Sequence, residues 1–210
     1  MKPPFTTAEF LAVFTRYNQG VWPAQVLFYV LAAAVLWFAW RPRARSGLVI
    51  GGALAFFWAW MGIVYHALYF SRINPAAWLF AGAFLLQSAL LLHAAVSRDR
   101  LSFRPRTDLA GTAGAVLVAY ALVVYPLIGY AAGQRYPATP TFGLPCPTVI
   151  FTFGVLLWAV PRVPLRLLLI PTLWAMLGIS AARSHGIVQD YGLPIAAVVA
   201  YGVAVWKKCR

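Results

Sequence analysis

Charge is scarce in this chain, and negative charge is nearly missing. Four residues are acidic against 17 basic, and charged residues make up 10% of the whole. A soluble domain of this size carries about 25%. So few charges cannot cover a water-exposed surface, and lipid becomes the expected solvent. Cysteine is almost absent as well. Cys146 and Cys209 are the two present, and in the topology derived below they lie on opposite sides of the membrane, which excludes a disulfide framework. Walker and Rossmann glycine patterns are missing, so nucleotide use has no support. No HxxxH or CxxC spacing occurs, and no recognisable serine–histidine motif. Mid-span lysine is missing too, which argues against a retinal Schiff base. Residues 1–20 lack a basic start followed by an apolar run, so the first span is expected to target the membrane itself.

What remains is apolar. Hydrophobic residues make up 62% of the chain, and the mean hydropathy is +0.77. The apolar stretches cover 22–40, 47–70, 75–96, 109–131, 147–160, 165–185 and 193–206. The expectation is an all-α polytopic membrane helix bundle with about seven transmembrane helices. Residues 1–210 then form a single membrane domain: an interfacial helix over 1–20, a bundle over 22–206 and a basic tail at 207–210.

The formal charge of +13 would point to nucleic acid in a soluble protein. Here the basic residues gather in short loops between spans, so no nucleic-acid partner is expected. Arg41, Arg43, Arg45, Arg98, Arg100, Arg104, Arg106, Arg162, Arg166, Lys207, Lys208 and Arg210 share one side. Lys2, Arg16, Arg72, Arg135 and Arg183 share the other. The positive-inside rule puts the twelve in the cytoplasm, and an odd number of spans then puts the N-terminus outside. Each span running inward also starts near a proline: Pro23, Pro75, Pro147 and Pro194. Proline suits the first helical turn, where its missing N–H has no helical partner anyway.

Before the first span, Thr6 and Glu9 have the spacing of a capping box, and Phe5 and Phe10 that of a hydrophobic staple. Phe10, Val13, Phe14 and Tyr17 fall on one face, as in an amphipathic helix lying flat at the interface. The stretches 147–160 and 193–206 look short. Fourteen residues rise about 21 Å, against about 30 Å of hydrocarbon. The loop from Gly133 to Thr148 holds Pro137, Pro140, Pro145 and Pro147, and is expected to form a partly re-entrant lid over a pocket.

Polar residues cluster toward the outer ends of the spans. Tyr65, His66, Arg72, Asn74, Tyr125, Cys146, Thr148, Arg183 and His185 are the candidate ligand-binding residues. Asn74 is also a natural N-cap. Thr148 and Thr152 share a face and could line a polar path. Cys146 at a helix start would sit at the positive end of the helix dipole. His66, Cys146, His185 and Asp190 are ligand types for zinc or copper, although no motif fixes them together, and no cofactor is expected. His93 lies near the inner end of its span, so it cannot share a haem iron with His66.

The stretches VWPA (21–24), WMGIVYH (60–66), FSRINPAA (70–77) and YPATPTFGLPCPTVIFTFG (136–154) resemble an uncharacterised bacterial multi-pass membrane family, a domain of unknown function. The resemblance covers nearly the whole chain. It implies a bacterial inner-membrane protein and lends no reaction or ligand. Three functions stay open. One is a small transporter, channel or solute-binding protein, its site open to the outer face and filled by a small polar or anionic solute. Another is a membrane-embedded metal- or thiol-dependent enzyme. The last is a non-catalytic partner or sensor subunit.

Overall fold

The computed structural model describes residues 4–97 and 101–209. Lys2, Arg98, Arg100 and Arg210, used above for orientation, lie outside the described residues, as do the side chains of Lys207, Lys208 and Cys209. With continuous helical runs taken together, the described residues form eight helices. They are α1 (Thr7–Gly20), α2 (Ala24–Trp40), α3 (Ser46–Arg72), α4 (Ala77–Val96), α5 (Leu109–Ala131), α6 (Pro145–Leu156), α7 (Arg166–His185) and α8 (Gly192–Cys209). Two of them change winding midway. Met61–Tyr69 of α3 and Tyr120–Val124 of α5 are π-helical, and α3 closes in a 3-10 turn over Phe70–Arg72.

The chain is a multi-span membrane protein by length and composition. Five of its helical runs are apolar enough and long enough to cross: α3, α4, α5, α7 and Val188–Trp206. The count rises to six if α1 and α2, bent by 81° across Val21–Pro23, are one span. Large side chains face outward, with Leu79 74% and Val198 73% exposed, as lipid permits and water does not. The interior packs aromatic, aliphatic and small residues together.

The seven expected stretches each contain a helix. The seventh, expected to be short over 193–206, belongs to the run Val188–Trp206, which is long enough to cross. The fifth also needs correction. It was expected over 147–160. The helix starts earlier, at Pro145, and ends at Leu156. Beyond it, β2 (Ala159–Val160) pairs antiparallel with β1 (Ser102–Phe103), and Pro161 follows. Twelve residues rise only about 18 Å, too little to span. Pro145 and Pro147–Leu156 are buried, because α5, α7 and α8 surround the helix. The β1–β2 ladder holds two arginine-bearing loops at one end of the bundle. The Arg104 N–H donates to Trp158 O there (2.8 Å), and Asp108 caps α5 at Gly111 N (2.8 Å).

The expected capping box and staple are present at the N-terminus. Thr6 and Glu9 form the reciprocal capping box. Thr6 donates to Glu9 Oε2 from its backbone N–H (2.7 Å) and its hydroxyl (2.8 Å), and these bonds hold the Glu9 carboxylate below its ordinary pKa. Phe5 stacks on Phe10 at 5.6 Å. Phe10, Val13, Phe14 and Tyr17 are buried against Tyr65, Phe70, Ala77, Leu144 and Ile187.

Helix packing relies on glycine where backbones approach closely, as in membrane bundles generally. At the α5–α6 crossing, a Cβ on Gly154 would lie 2.8 Å from Gly114 O and 3.0 Å from Val118 N. A Cβ on Gly52 of α3 would meet nothing within 4 Å. Gly154→Ala is therefore expected to destabilise by about 1–3 kcal/mol through overpacking. Gly52→Ala should stay within about 0.5 kcal/mol of wild type. Unfolding of the two purified variants in detergent checks the contrast, and equal stability would refute it.

Candidate functional site

At the end of the bundle away from β1 and β2, the helix ends enclose a cavity of about 470 Å³. Its wall begins with Phe5, Phe10 and Phe14 from the N-terminal segment. Tyr65 comes from the widened part of α3 and Phe70 from its closing 3-10 turn, Asn74 and Ala76 from the segment just ahead of α4, and Phe80 from the first turn of α4. The segment before α6 adds Pro140 and Leu144, and α6 itself adds Pro145 and Cys146. Trp174, Leu177, Gly178, Ser180, Ser184 and His185 come from α7, and Asp190 from the 3-10 turn Val188–Tyr191.

The polar groups collect at Asp190, which is 3% exposed. Tyr125 donates its hydroxyl to the Asp190 carboxylate. The Cys146 thiol and the Tyr65 and Tyr120 hydroxyls lie within electrostatic range of the same carboxylate. Tyr120 donates to Gln189 O (2.7 Å), and Gln189 Nε2 donates to Gln134 Oε1 (2.6 Å). This network braces the turn between α7 and α8 against α5. Gly186 closes α7 in the left-handed region (φ +69°), with the Gly186 and Ile187 N–H groups both returning to Ala182 O. That sharp stop lets Asp190 fold back under the cavity.

Four of the nine candidate ligand-binding residues line the cavity: Tyr65, Asn74, Cys146 and His185. The other five do not. His66 is fully buried in a cage of Phe84 (4.6 Å), Tyr65 (5.0 Å), Trp174 (5.1 Å), Phe80 (5.7 Å) and Phe70 (6.0 Å). Neither of its ring nitrogens has a protein partner. Arg72 is exposed, its guanidinium 5.7 Å from the Tyr69 ring. Arg183 is exposed in the last turn of α7. Tyr125 is buried behind Asp190. Thr148 accepts from Gly143 N–H (3.0 Å), and its carbonyl accepts from Thr152 (2.8 Å), whose hydroxyl in turn accepts from Trp58 Nε1–H (3.1 Å). The two threonines thus satisfy helix and loop groups rather than line a path. Asn74 Oδ1 accepts from Ala76 N–H (3.0 Å) just ahead of α4.

The four candidate metal ligands are not brought into one set. Among the described residues, no three His, Cys, Asp or Glu side chains come together as a metal site. His66 is enclosed by rings. His185 bonds through Nδ1 to Thr7 Oγ1 (3.0 Å) and lies against Phe5 and Phe10. His93 is exposed on α4.

The proline-rich loop is pinned from below. Asn18, fully buried at the end of α1, donates to Pro137 O (2.7 Å) and Thr139 O (2.8 Å) and accepts from the Thr141 hydroxyl (2.7 Å). From Pro140 to Leu144 the chain is largely buried, and at Gly143 (φ +100°) it passes so close to Phe28 that a Cβ would clash. Neither Asn18 nor Trp174 was identified from the sequence. Trp174, Leu177, Gly178, Ser184 and His185 do recur at helical spacing on α7, and that period is the signal that could have found the wall.

A family model described as "Family of unknown function (DUF6064)" matches residues 7–210, so the chain belongs to that family. No curated protein and no solved structure matches it.

Asn18→Ala removes three side-chain bonds to the 137–141 segment, each worth about 1 kcal/mol net. The variant is expected to lose about 2–3 kcal/mol. Trypsin should also cut at Arg135 markedly faster while the rest of the chain stays protected. Unchanged cleavage at Arg135 would show that Asn18 does not hold the loop.

Proposed function

We propose that this DUF6064 member is a small solute-binding or transport protein of a bacterial inner membrane. Its cavity admits a small molecule at the outer face. The observation that carries the reading is the cavity of about 470 Å³, walled by aromatic rings and floored by Asp190 and Cys146. Its size and its mixture of apolar wall and few polar groups match small-molecule sites in general. Among the described residues, the lining carries a carboxylate and no arginine or lysine. The polar or anionic solute expected from the sequence therefore narrows to a neutral or cationic one.

The orientation rests on charge. The loops after α2, α4 and α6 carry most of the basic residues, and the positive-inside rule places them in the cytoplasm. The cavity end then faces outward, with α1 lying in the interface and the N-terminus outside. The segment 140–144 enters the bundle from that side, so α6 begins below the outer surface. Non-helical backbone at such depth is tolerated where protein encloses it.

A thiol-dependent reaction is the second reading, favoured by the place of Cys146 on the cavity wall. Cys146→Ala separates the two. A binding or transport protein retains a ligand response in this variant with at most a shifted affinity, and a thiol enzyme loses its activity outright.

Two measurements test the proposal. In a background with both cysteines replaced, Gln19→Cys should react with an impermeant maleimide on intact spheroplasts, and Arg43→Cys only after lysis. The reverse pattern would overturn the orientation. In nanodiscs, at least one member of a broad panel of neutral and cationic small molecules should raise the unfolding temperature by several degrees. Leu177→Trp, which fills the cavity, should abolish that rise. No response to any member in a folded protein would count against a binding site here.

A further inference from the structure

We infer that the cavity takes a membrane-borne amphiphile with an amine head, which enters sideways from the lipid and seats its head against Asp190. This deepens the small-molecule reading above and rests on it. The exposed members of the lining are Pro4, Ala76, Leu177, Ser180 and Ser184. The mouth therefore lies between the start of α4 and the last turns of α7, two helices able to span a bilayer. Around it, Leu79, Leu173 and Met176 are 74%, 61% and 66% exposed. A mouth framed by such residues faces hydrocarbon, so the occupant arrives from the bilayer. Along α7 the lining runs from Trp174 to His185, about 16 Å of helix rise. That length fits an extended chain better than a compact solute.

The head chemistry follows from the floor. A carboxylate at membrane depth is costly unless it is paired. Among the described residues, the one ion pair is Arg106–Asp108, in the loop leading into α5, so none of them pairs with Asp190. Tyr125 supplies one hydrogen bond. Among the described residues, no lysine or arginine lines the cavity. An ammonium on the occupant supplies the missing counter-charge. The rings of Phe10, Phe14, Phe70 and Trp174 line the same wall, a setting that favours a cation over an anion. His185 offers a second acceptor. Its Nε2 is buried without a partner, and it is free to accept when the ring proton sits on Nδ1 and bonds Thr7. An anionic head would meet the Asp190 carboxylate and be repelled.

The test uses the full chain in nanodiscs at neutral pH, with decylamine, decanol and decanoate at equal mole fraction in the bilayer. Thermal unfolding gives the response, and competition with a fluorescent alkylamine gives apparent affinity. Decylamine should bind at least tenfold more tightly than decanoate, with decanol between them. Asp190→Asn should erase the preference for amine over alcohol. Ser180→Trp, which narrows the mouth without touching Asp190, should weaken all three and keeps the test valid if Asp190→Asn fails to fold. Equal or tighter binding of decanoate, or an amine preference that survives Asp190→Asn, would overturn the head assignment. A response to water-soluble amines alone, unaffected by Ser180→Trp, would overturn lateral entry but leave the binding site standing. No response to any probe, soluble or amphiphilic, would sink the binding site itself.

Discussion

A helix that starts buried among other helices has no water at its first turn, so its backbone must find partners within the protein. The arrangement around α6 follows from that constraint. Its start is preceded by buried chain at 140–144, where Thr148 accepts from Gly143 N–H and Leu144 O accepts from Thr148 N–H. The descending segment is anchored in turn by Asn18 at the end of α1. Helix α1 must therefore lie across this end of the bundle, and its aromatic face becomes one wall of the cavity. Because α6 is buried on every side, the helices around it leave their remaining faces for lipid.

The two ends of the bundle solve different problems. One is held by short backbone pairing between β1 and β2 and by caps such as Asp108, and it carries arginine in quantity. The other is held by aromatic packing and by tyrosine, asparagine and glutamine bonds to backbone. There the helices widen into π turns at Met61–Tyr69 and Tyr120–Val124, which bring Tyr65 and Tyr120 toward Asp190. π segments often accompany functional sites. The acid of the cavity thus lies at the opposite end of the bundle from the arginine-bearing loops joined by β1 and β2.

Much of this was legible in the sequence, because lipid imposes simple rules. Apolar stretches gave helix positions, and the Thr6–Glu9 spacing gave the N-terminal cap. The prolines marked the starts of α2, α4, α6 and α8. The short fifth stretch and its buried approach were also readable, since fourteen residues cannot cross hydrocarbon. Its end was misjudged because the β1–β2 pairing joins residues far apart in sequence. The candidate site was only half legible. Polarity near span ends drew attention to Tyr65, Asn74, Cys146, His185 and Asp190, which line the cavity. The same rule drew in Arg72, Arg183 and Thr148, whose side chains turn to the surface or to the backbone. Which way a side chain faces depends on helix rotation, and an all-round apolar helix carries almost no periodicity from which to read it.

The bonds that seat α1 also constrain how the chain is made. Thr7 meets His185, and Asn18 meets residues 137–141, contacts spanning 178 and about 120 positions. Synthesis runs from the N-terminus, so α1 emerges long before its partners exist. The face carrying Phe10, Phe14 and Tyr17 meets Tyr65, Phe70 and Ala77 once α3 and α4 exist, and until then only lipid can cover it. An amphipathic helix can rest at a bilayer surface for that interval. Closing of the cavity is then among the last steps of biogenesis, because its wall is incomplete until Trp174 to His185 and Asp190 are in place.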